Sequence, residues 1–386
     1  MTSANQFVPA EAVERRLAAI VLAAGYSTRM ADFKPMLPLA GSTALECCIG
    51  LFRTAGVAEV IAVLGHRAEE LQPLAEGAGA RCVLNPHFEQ GMFSSIASGS
   101  RALPGWVEAA FVLPADIPLV RPNTIRQMTS VFITRRDGIV YPVFEGRRGH
   151  PPLIERKILN EAAEDGAAGP LFDLLARHEN EAINLLVADQ GIHMDMDTPA
   201  EYDALCIMAA RRDIPTRGEC EAILTGQSAE LSQIRHSRRV AEVAERLAQA
   251  LTHSGLSLNV ELVRAGALLH DLAKGRPDHA MVGAELLRTM DYPRVAMVVG
   301  AHTELNFSGG QLDESAIVYL ADKLVRGENV VTLDQRFQPA LARFSDNLHA
   351  LHAAQSRMAT AHAVTHAVET QLGAPLASVL GKAGKP

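Results

Sequence analysis

Apolar positions change their period partway along the chain. Through the first half, short apolar runs bounded by turn residues alternate with stretches in which apolar residues recur every three or four positions. That alternation predicts an α/β domain built on a mostly parallel sheet. Strands are expected at 18–23, 57–64, 81–84, 109–113, 138–141 and 182–186, and helices at 44–55, 68–78, 94–102 and 122–135. The first strand is apolar at every position, as a strand covered on both faces must be. From Leu231 onward only helical periodicity remains, with Val240, Val243, Ala244, Leu247, Ala248 and Leu251 at spacings of three and four. Between the two patterns the stretch 211–225 contains Pro215 and Gly218 and is the natural break. The expected organisation is an α/β domain over 1–210, a linker over 211–229 and an all-α domain over 230–386, with a frayed end at 381–386.

Charge and cysteine content narrow the class. The net charge is −8, so the chain as a whole offers no attraction for a nucleic-acid backbone. Its five cysteines form no C-x-x-C pair, and an odd count does not suit a disulfide framework, so reduced thiols in a cytoplasmic protein are expected. The first apolar run, Leu17 to Ala24, is too short to cross a bilayer, and neither a signal peptide nor a membrane anchor is expected.

The densest chemistry of the first half follows its first strand. Leu22-Ala23-Ala24-Gly25-Tyr26-Ser27-Thr28-Arg29-Met30 runs on to Lys34-Pro35. A loop leaving the carboxyl end of a strand is where open α/β sheets bind ligands. Gly25 permits close backbone approach to a phosphate, Ser27 and the loop amides can donate to its oxygens, and Arg29 and Lys34 supply cationic charge. An ordinary β–α loop also carries a turn glycine, but not this whole spaced string. Neither a P-loop nor a G-x-G-x-x-G fingerprint is present.

The string resembles the signature loop of the nucleotidyltransferases that act on the molybdenum cofactor, with Ala31 where the family has glycine and Asp32-Phe33 ahead of the lysine. Further segments match the family in order over roughly residues 17–205. They are Asn85-Pro86 with Gly91-Met92 and Ser94-Ser95, then Leu113-Pro114-Ala115-Asp116, then Gly149-His150-Pro151, then Asp195-Met196-Asp197-Thr198-Pro199. The resemblance implies nucleotide contacts from Leu22, Ala23, Ala24, Gly25, Ser27, Arg29, Lys34, Asn85, Gly91, Ser94 and Ser95, and acceptor contacts from Gly149, His150 and Pro151. It implies Mg²⁺ on Asp116 and Asp197, catalytic charge from Arg29 and Lys34, and a structural part for Asp195. Ala-Ala-Gly leans towards CTP over GTP, with a molybdopterin-type acceptor and a molybdoenzyme as eventual recipient. A transferase for a sugar or alcohol phosphate is the alternative.

The second half carries His236, His270-Asp271, Lys274, His279, His302 and Asp322, mostly on apolar helical stretches. A lone histidine in such a place is usually a satisfied core residue; a set of imidazoles and carboxylates makes an N/O site for Fe, Mn or Zn. The order resembles the HD phosphohydrolase superfamily over roughly residues 230–330. That resemblance makes His236, His270, Asp271 and Asp322 the defining metal ligands, adds His279 and His302 for a second metal, and gives Asp271 and Lys274 catalytic parts. Lys274 reaches a substrate phosphate if the helix continues past His270. A ligand-sensing domain without turnover is the alternative. His349, His352, His362 and His366 are expected to be partly exposed helix residues.

Overall fold

The computed structural model describes residues 16–26, 32–135, 138–164, 171–307, 309 and 311–381. The chain divides into two compact units, Met1–Arg212 and Asp213–Pro386.

The first unit is built on an eight-stranded mixed sheet. Its strands are β1 (Leu17–Ala23), β2 (Glu59–Leu64), β3 (Arg81–Leu84), β4 (Ala109–Pro114), β5 (Ile139–Phe144), β6 (Arg147–Arg148), β7 (Leu153–Glu155) and β8 (Ala182–Leu186). The order is β8-β5-β7-β4-β1-β2-β3, with β6 paired to β5. The pairs β1–β2, β1–β4, β2–β3 and β5–β8 are parallel, while β7 runs antiparallel to both β4 and β5. Helices α1 (Ala44–Thr54), α2 (Ala68–Gly77), α3 (Met92–Arg101), α4 (Pro122–Arg135), α5 (Arg156–Glu164), α6 (Leu171–Arg177) and α7 (Pro199–Ala210) complete it.

The periodicity of β1 has a direct cause. Ala18, Ile20 and Leu22 share a core with Phe93 and Ile96 of α3. On the strand beside it, Phe111 meets Phe52 of α1, with ring centroids 5.5 Å apart. Helices therefore cover both faces, and no position can be polar. Gly99 lets α3 settle on β1, since a Cβ there would lie 2.5 Å from Ile20 Cγ2. Strand β7 was not expected. It spans three residues after two prolines, too few to show an alternation.

The second unit is helical: α8 (Arg217–Gly226), α9 (Leu231–His253), α10 (Val260–Leu269), α11 (His279–Thr289), α12 (Pro293–Gly300), α13 (Glu314–Lys323), α14 (Leu333–Arg343) and α15 (Leu348–Leu372). All six apolar positions that predicted α9 are buried. Gly266 does on α10 what Gly99 does on α3, because a Cβ there would lie 2.4 Å from Val298 Cγ1. Two departures from expectation stand out. The stretch expected as a linker holds α8, whose Thr216–Glu219 capping box starts it and whose Cys220, Ile223 and Leu224 are buried. A hairpin of two-residue strands, Val325–Arg326 and Asn329–Val330, follows α13 where no strand was expected. Residues 382–386, most of the segment expected to fray, lie outside the described residues. No described helix is long and apolar enough to cross a membrane.

Candidate active sites

In the first unit, strand pairing assembles the pocket. Leu22 of β1 lies opposite Pro114 of β4, and Ala115 N–H donates to Leu22 O at 3.0 Å. The Leu22–Gly25 segment and Asp116 thus leave neighbouring strand ends and line one cavity of about 350 Å³, with Lys34, Gly91 and Ser95. Ser27 and Arg29 lie outside the described residues.

Lys34 is buried, and its Nζ is 2.5 Å from Asp197 Oδ1 and 3.4 Å from Asp116 Oδ2. The two carboxylates expected to share a metal therefore do converge, 81 residues apart in sequence. Thr198 caps α7 with Glu201 in a capping box and Pro199 occupies its first turn, so Asp-Thr-Pro both starts a helix and presents Asp197. Asp195 is exposed, and partial burial followed by the charges of Glu201, Asp197 and Asp116 raises its carboxyl pKa. Two half-exposed carboxylates suit Mg²⁺, which takes one or two protein oxygens and completes its shell from phosphate and water.

Other expected contacts serve the loop instead of the cavity. The Asn85 amide donates to Ser94 Oγ at 2.9 Å and Ser95 Oγ at 3.0 Å, and its Oδ1 accepts from His87 N–H. Asn85 and Ser94 are buried within this network and fix the turn that carries Gly91 and Ser95. Gly149 and His150 donate their backbone N–H groups to Pro142 O and Ile192 O, and Pro151 follows a cis peptide. None of the three, expected on the acceptor side, is among the residues lining this cavity. Burial pushes the His150 imidazole pKa down, and its buried Nδ1 has no hydrogen-bond partner among the described residues. Sequence reasoning missed Tyr26, Phe88 and Glu89 on the cavity wall. Tyr26 Oη donates to Glu89 Oε1 at 2.7 Å, and its ring packs against Phe88 and His66.

In the second unit six residues gather from five elements. His236 comes from α9, His270 and Asp271 from the end of α10, His279 from the start of α11, His302 from just past α12 and Asp322 from α13. Two groups, His236-His270-Asp271 and Asp271-His279-His302, each hold their ligand atoms within 4.8 Å of one another, and Asp271 belongs to both. Asp322 Oδ1 lies 3.4 Å from His236 Nε2 and 3.6 Å from His270 Nε2.

The imidazoles are held ready. Nδ1 of His236, His270 and His302 each meets a backbone carbonyl, of Gly327, Ala267 and Val299, at 2.9, 2.8 and 2.7 Å. A carbonyl only accepts, so Nδ1 carries a hydrogen and Nε2 is the nitrogen turned towards the cluster. His270 Nε2 is buried with no hydrogen-bond partner among the described residues, and His279 and His302 point their Nε2 atoms at each other across 3.2 Å. Burial, then the neighbouring His270, pushes the His302 pKa down to about 3, which keeps it neutral. Burial alone would raise Asp322, but Lys323, His236 and His270 outweigh it and hold the carboxyl well below its ordinary value. Orphaned nitrogens facing carboxylates fit a metal ion.

Lys274 sits differently from expectation. Helix α10 ends at Leu269, the chain turns, and Lys274 Nζ is 2.6 Å from Asp271 Oδ2. Arg336 of α14 and Arg357 of α15 also line the cavity of about 430 Å³ above the cluster, and no motif flagged them. His349, His352, His362 and His366 are exposed along α15.

The first unit thus carries a carboxylate-and-lysine pocket at the ends of parallel strands, and the second a helical histidine–aspartate cluster whose donors could hold a metal. Comparison with known proteins agrees. Residues 19–182 match the MobA-like NTP transferase domain and residues 234–327 the HD domain. The molybdenum cofactor cytidylyltransferase of Escherichia coli is 28% identical over 184 residues, 47% of this chain and 92% of that protein. The bifunctional protein GlmU of Geobacter metallireducens is 30% identical over 190 residues, 43% of this chain but 40% of that protein. A solved nucleotidyl transferase from Methanothermobacter thermautotroptrophicus aligns with TM-score 0.45 and 23% identity, covering 51% of this chain and 99% of that one. The chain joins a MobA-like NTP transferase domain to an HD domain.

Proposed function

We propose that the first unit transfers CMP from CTP to the phosphate of a molybdopterin-type acceptor, and that the second hydrolyses a phosphate ester or nucleotide. The observation that carries the first part is the cavity in which the Leu22–Gly25 strand end faces Asp116 and Lys34. An acceptor phosphate oxygen attacks the α-phosphorus of CTP, the bond to the β-phosphate breaks, and pyrophosphate leaves. Lys34 holds Asp116 and Asp197 together, and Arg29 adds charge towards the departing pyrophosphate. Support for the acceptor and for CTP comes from the similarity to the cytidylyltransferase and from Ala23-Ala24-Gly25.

For the second unit the observation is Asp271 shared between two ligand groups. His236, His270, Asp271 and Asp322 would hold one divalent metal, and His279 and His302 with Asp271 a second. When bound, a divalent cation at either site supplies Lewis acidity and neutralises phosphate oxygens. Water attacks phosphorus, the ester bond breaks and the leaving alcohol or phosphate takes a proton. Lys274, Arg336 and Arg357 orient the phosphate from the cavity rim.

Incubation with Mg²⁺, molybdenum cofactor and each NTP in turn tests the transferase. Pyrophosphate and a cytidine dinucleotide are expected, with kcat/KM for CTP above that for GTP. Equal values, or no product with any nucleotide, overturn it. Phosphate release from nucleotides after loading with Mn²⁺, Fe²⁺, Co²⁺ or Ni²⁺ tests the hydrolase. Inactivity with all four favours a ligand-sensing HD domain.

A further inference from the structure

A second cleft of about 610 Å³ adjoins the metal-ligand cavity of the HD domain. The start of α9, the turn after α10, the Val325–Gly327 edge of the hairpin and Arg336 enclose it. It is not a separate dent, because His236, Lys274, Gly275 and Arg336 line both spaces. A molecule in one can extend into the other past the buried imidazole of His236.

The charge of this outer cleft runs against that of the chain. Lys274, Arg276, Arg326 and Arg336 line it, and Glu230 is the one acid that does so. Lys274 faces Asp271 at 2.6 Å and Arg336 faces Asp322 at 4.0 Å, so on a chain of net charge −8 it is Arg276 and Arg326 that give the cleft its local positive potential. Neither Arg276 nor Arg326 is ion-paired among the described residues, whereas nearby Arg235 is spent on Glu328 at 2.8 Å. Helix α9 adds to this. Its Glu230 N-cap makes no side-chain capping bond, so the first-turn N–H groups around Ser232 and Gln233, which line the cleft, gain no satisfaction from a cap. Guanidinium forks without carboxylate partners beside an uncapped helix start make a surface suited to phosphate.

We propose that the HD site takes an extended, polyphosphorylated substrate of the nucleoside di- or triphosphate class. The phosphoryl group to be cleaved lies over Asp271, and a second phosphate is held in the outer cleft by Arg276 and Arg326. This rests on the phosphohydrolase reading of the site and sharpens it: a small phosphomonoester fills the inner cavity and leaves the outer cleft unused.

The test compares the full-length, Mn²⁺-loaded protein with its R276S/R326S double variant. Both arginines are exposed, and thermal unfolding of the variant should match the parent. Orthophosphate release is followed without acceptor from ATP and from p-nitrophenyl phosphate. The expected result is a rise of about tenfold or more in KM for ATP, with kcat/KM for p-nitrophenyl phosphate within twofold of the parent. An equal effect on both substrates, or none on ATP, overturns the proposal. If the parent hydrolyses neither, the phosphohydrolase reading fails, and calorimetric binding of tripolyphosphate decides the cleft on its own. Any contribution from the transferase pocket is common to both proteins and cancels. Binding at least tenfold weaker in the variant sustains the anion site; equal binding removes it.

Discussion

In the transferase domain two carboxylates, Asp116 and Asp197, converge on an ammonium, Lys34. In the HD domain Asp271 and Asp322 converge on imidazoles whose other nitrogens are tied to backbone carbonyls. On the proposed reading, both arrangements place carboxylates where a cation would meet phosphate. The first holds its acids together with a cation of its own on half-exposed strand ends, and leaves a metal's remaining shell to substrate and water. The second supplies a nearly complete ligand set from buried helix ends. On the proposed reading, the first site would take an exchangeable hard cation and the second a retained, softer one.

The sharpest way to break that contrast is to remove one carboxylate from each side. Asp271→Asn should empty both ligand groups, lowering metal content by elemental analysis and phosphate release on the order of 10³-fold, with nucleotidyl transfer intact. Asp116→Asn should lower transfer by roughly 10²-fold, with HD metal content unchanged and only partial recovery at high Mg²⁺. Loss of both activities in either variant would show that the sites are not independent. A smaller effect compares the cores. Gly99→Ala and Gly266→Ala each force a Cβ into Ile20 or Val298 and should cost about 1–3 kcal/mol. In calorimetry each should shift one of two unfolding transitions; a single transition moved equally by both would refute separate cores.

The smallest effect concerns acid stability. Arg264 hydrogen-bonds Glu245 at 2.6 Å and lowers its carboxyl pKa. The folded pKa lies below the unfolded one, so the pair's stabilisation is complete above roughly pH 4.3 and fades as pH falls through the lowered value. Both side chains are about 30% exposed, which limits the gain to about 0.2–1 kcal/mol. Glu245→Gln should therefore lower Tm slightly at pH 7 and converge on the parent near pH 3. A deficit that grows with acid would contradict the assignment.

What the sequence revealed follows from how local each signal is. The apolar run of β1 and the spacing within α9 are written in consecutive residues, and each matches an observed element. The capping box that starts α8 is also local, but Pro215 and Gly218 beside it suggested a break. The hidden features are those made by folding. Tyr26 and Glu89 meet 63 residues apart, and Lys274 turns back on Asp271 because α10 stops one residue before His270. Arg336 and Arg357 come from helices beyond the HD match and reach its cavity only through tertiary packing.

One of the imidazole-orienting carbonyls, Ala267 O, belongs to the final turn of α10, where a helix leaves carbonyls without a continuing backbone donor, whereas Val299 O of α12 also accepts from the backbone N–H groups of Ala301 and His302. At α10 the bond from His270 to Ala267 O therefore both satisfies a helix-end carbonyl and aims an imidazole, and a metal held at the proposed site would add its affinity to the folding free energy. By mass action, a free ion at 100 times its dissociation constant adds about 2.7 kcal/mol to the folded state. A metal held at the proposed site would therefore show itself as a rise in the domain's unfolding temperature on loading.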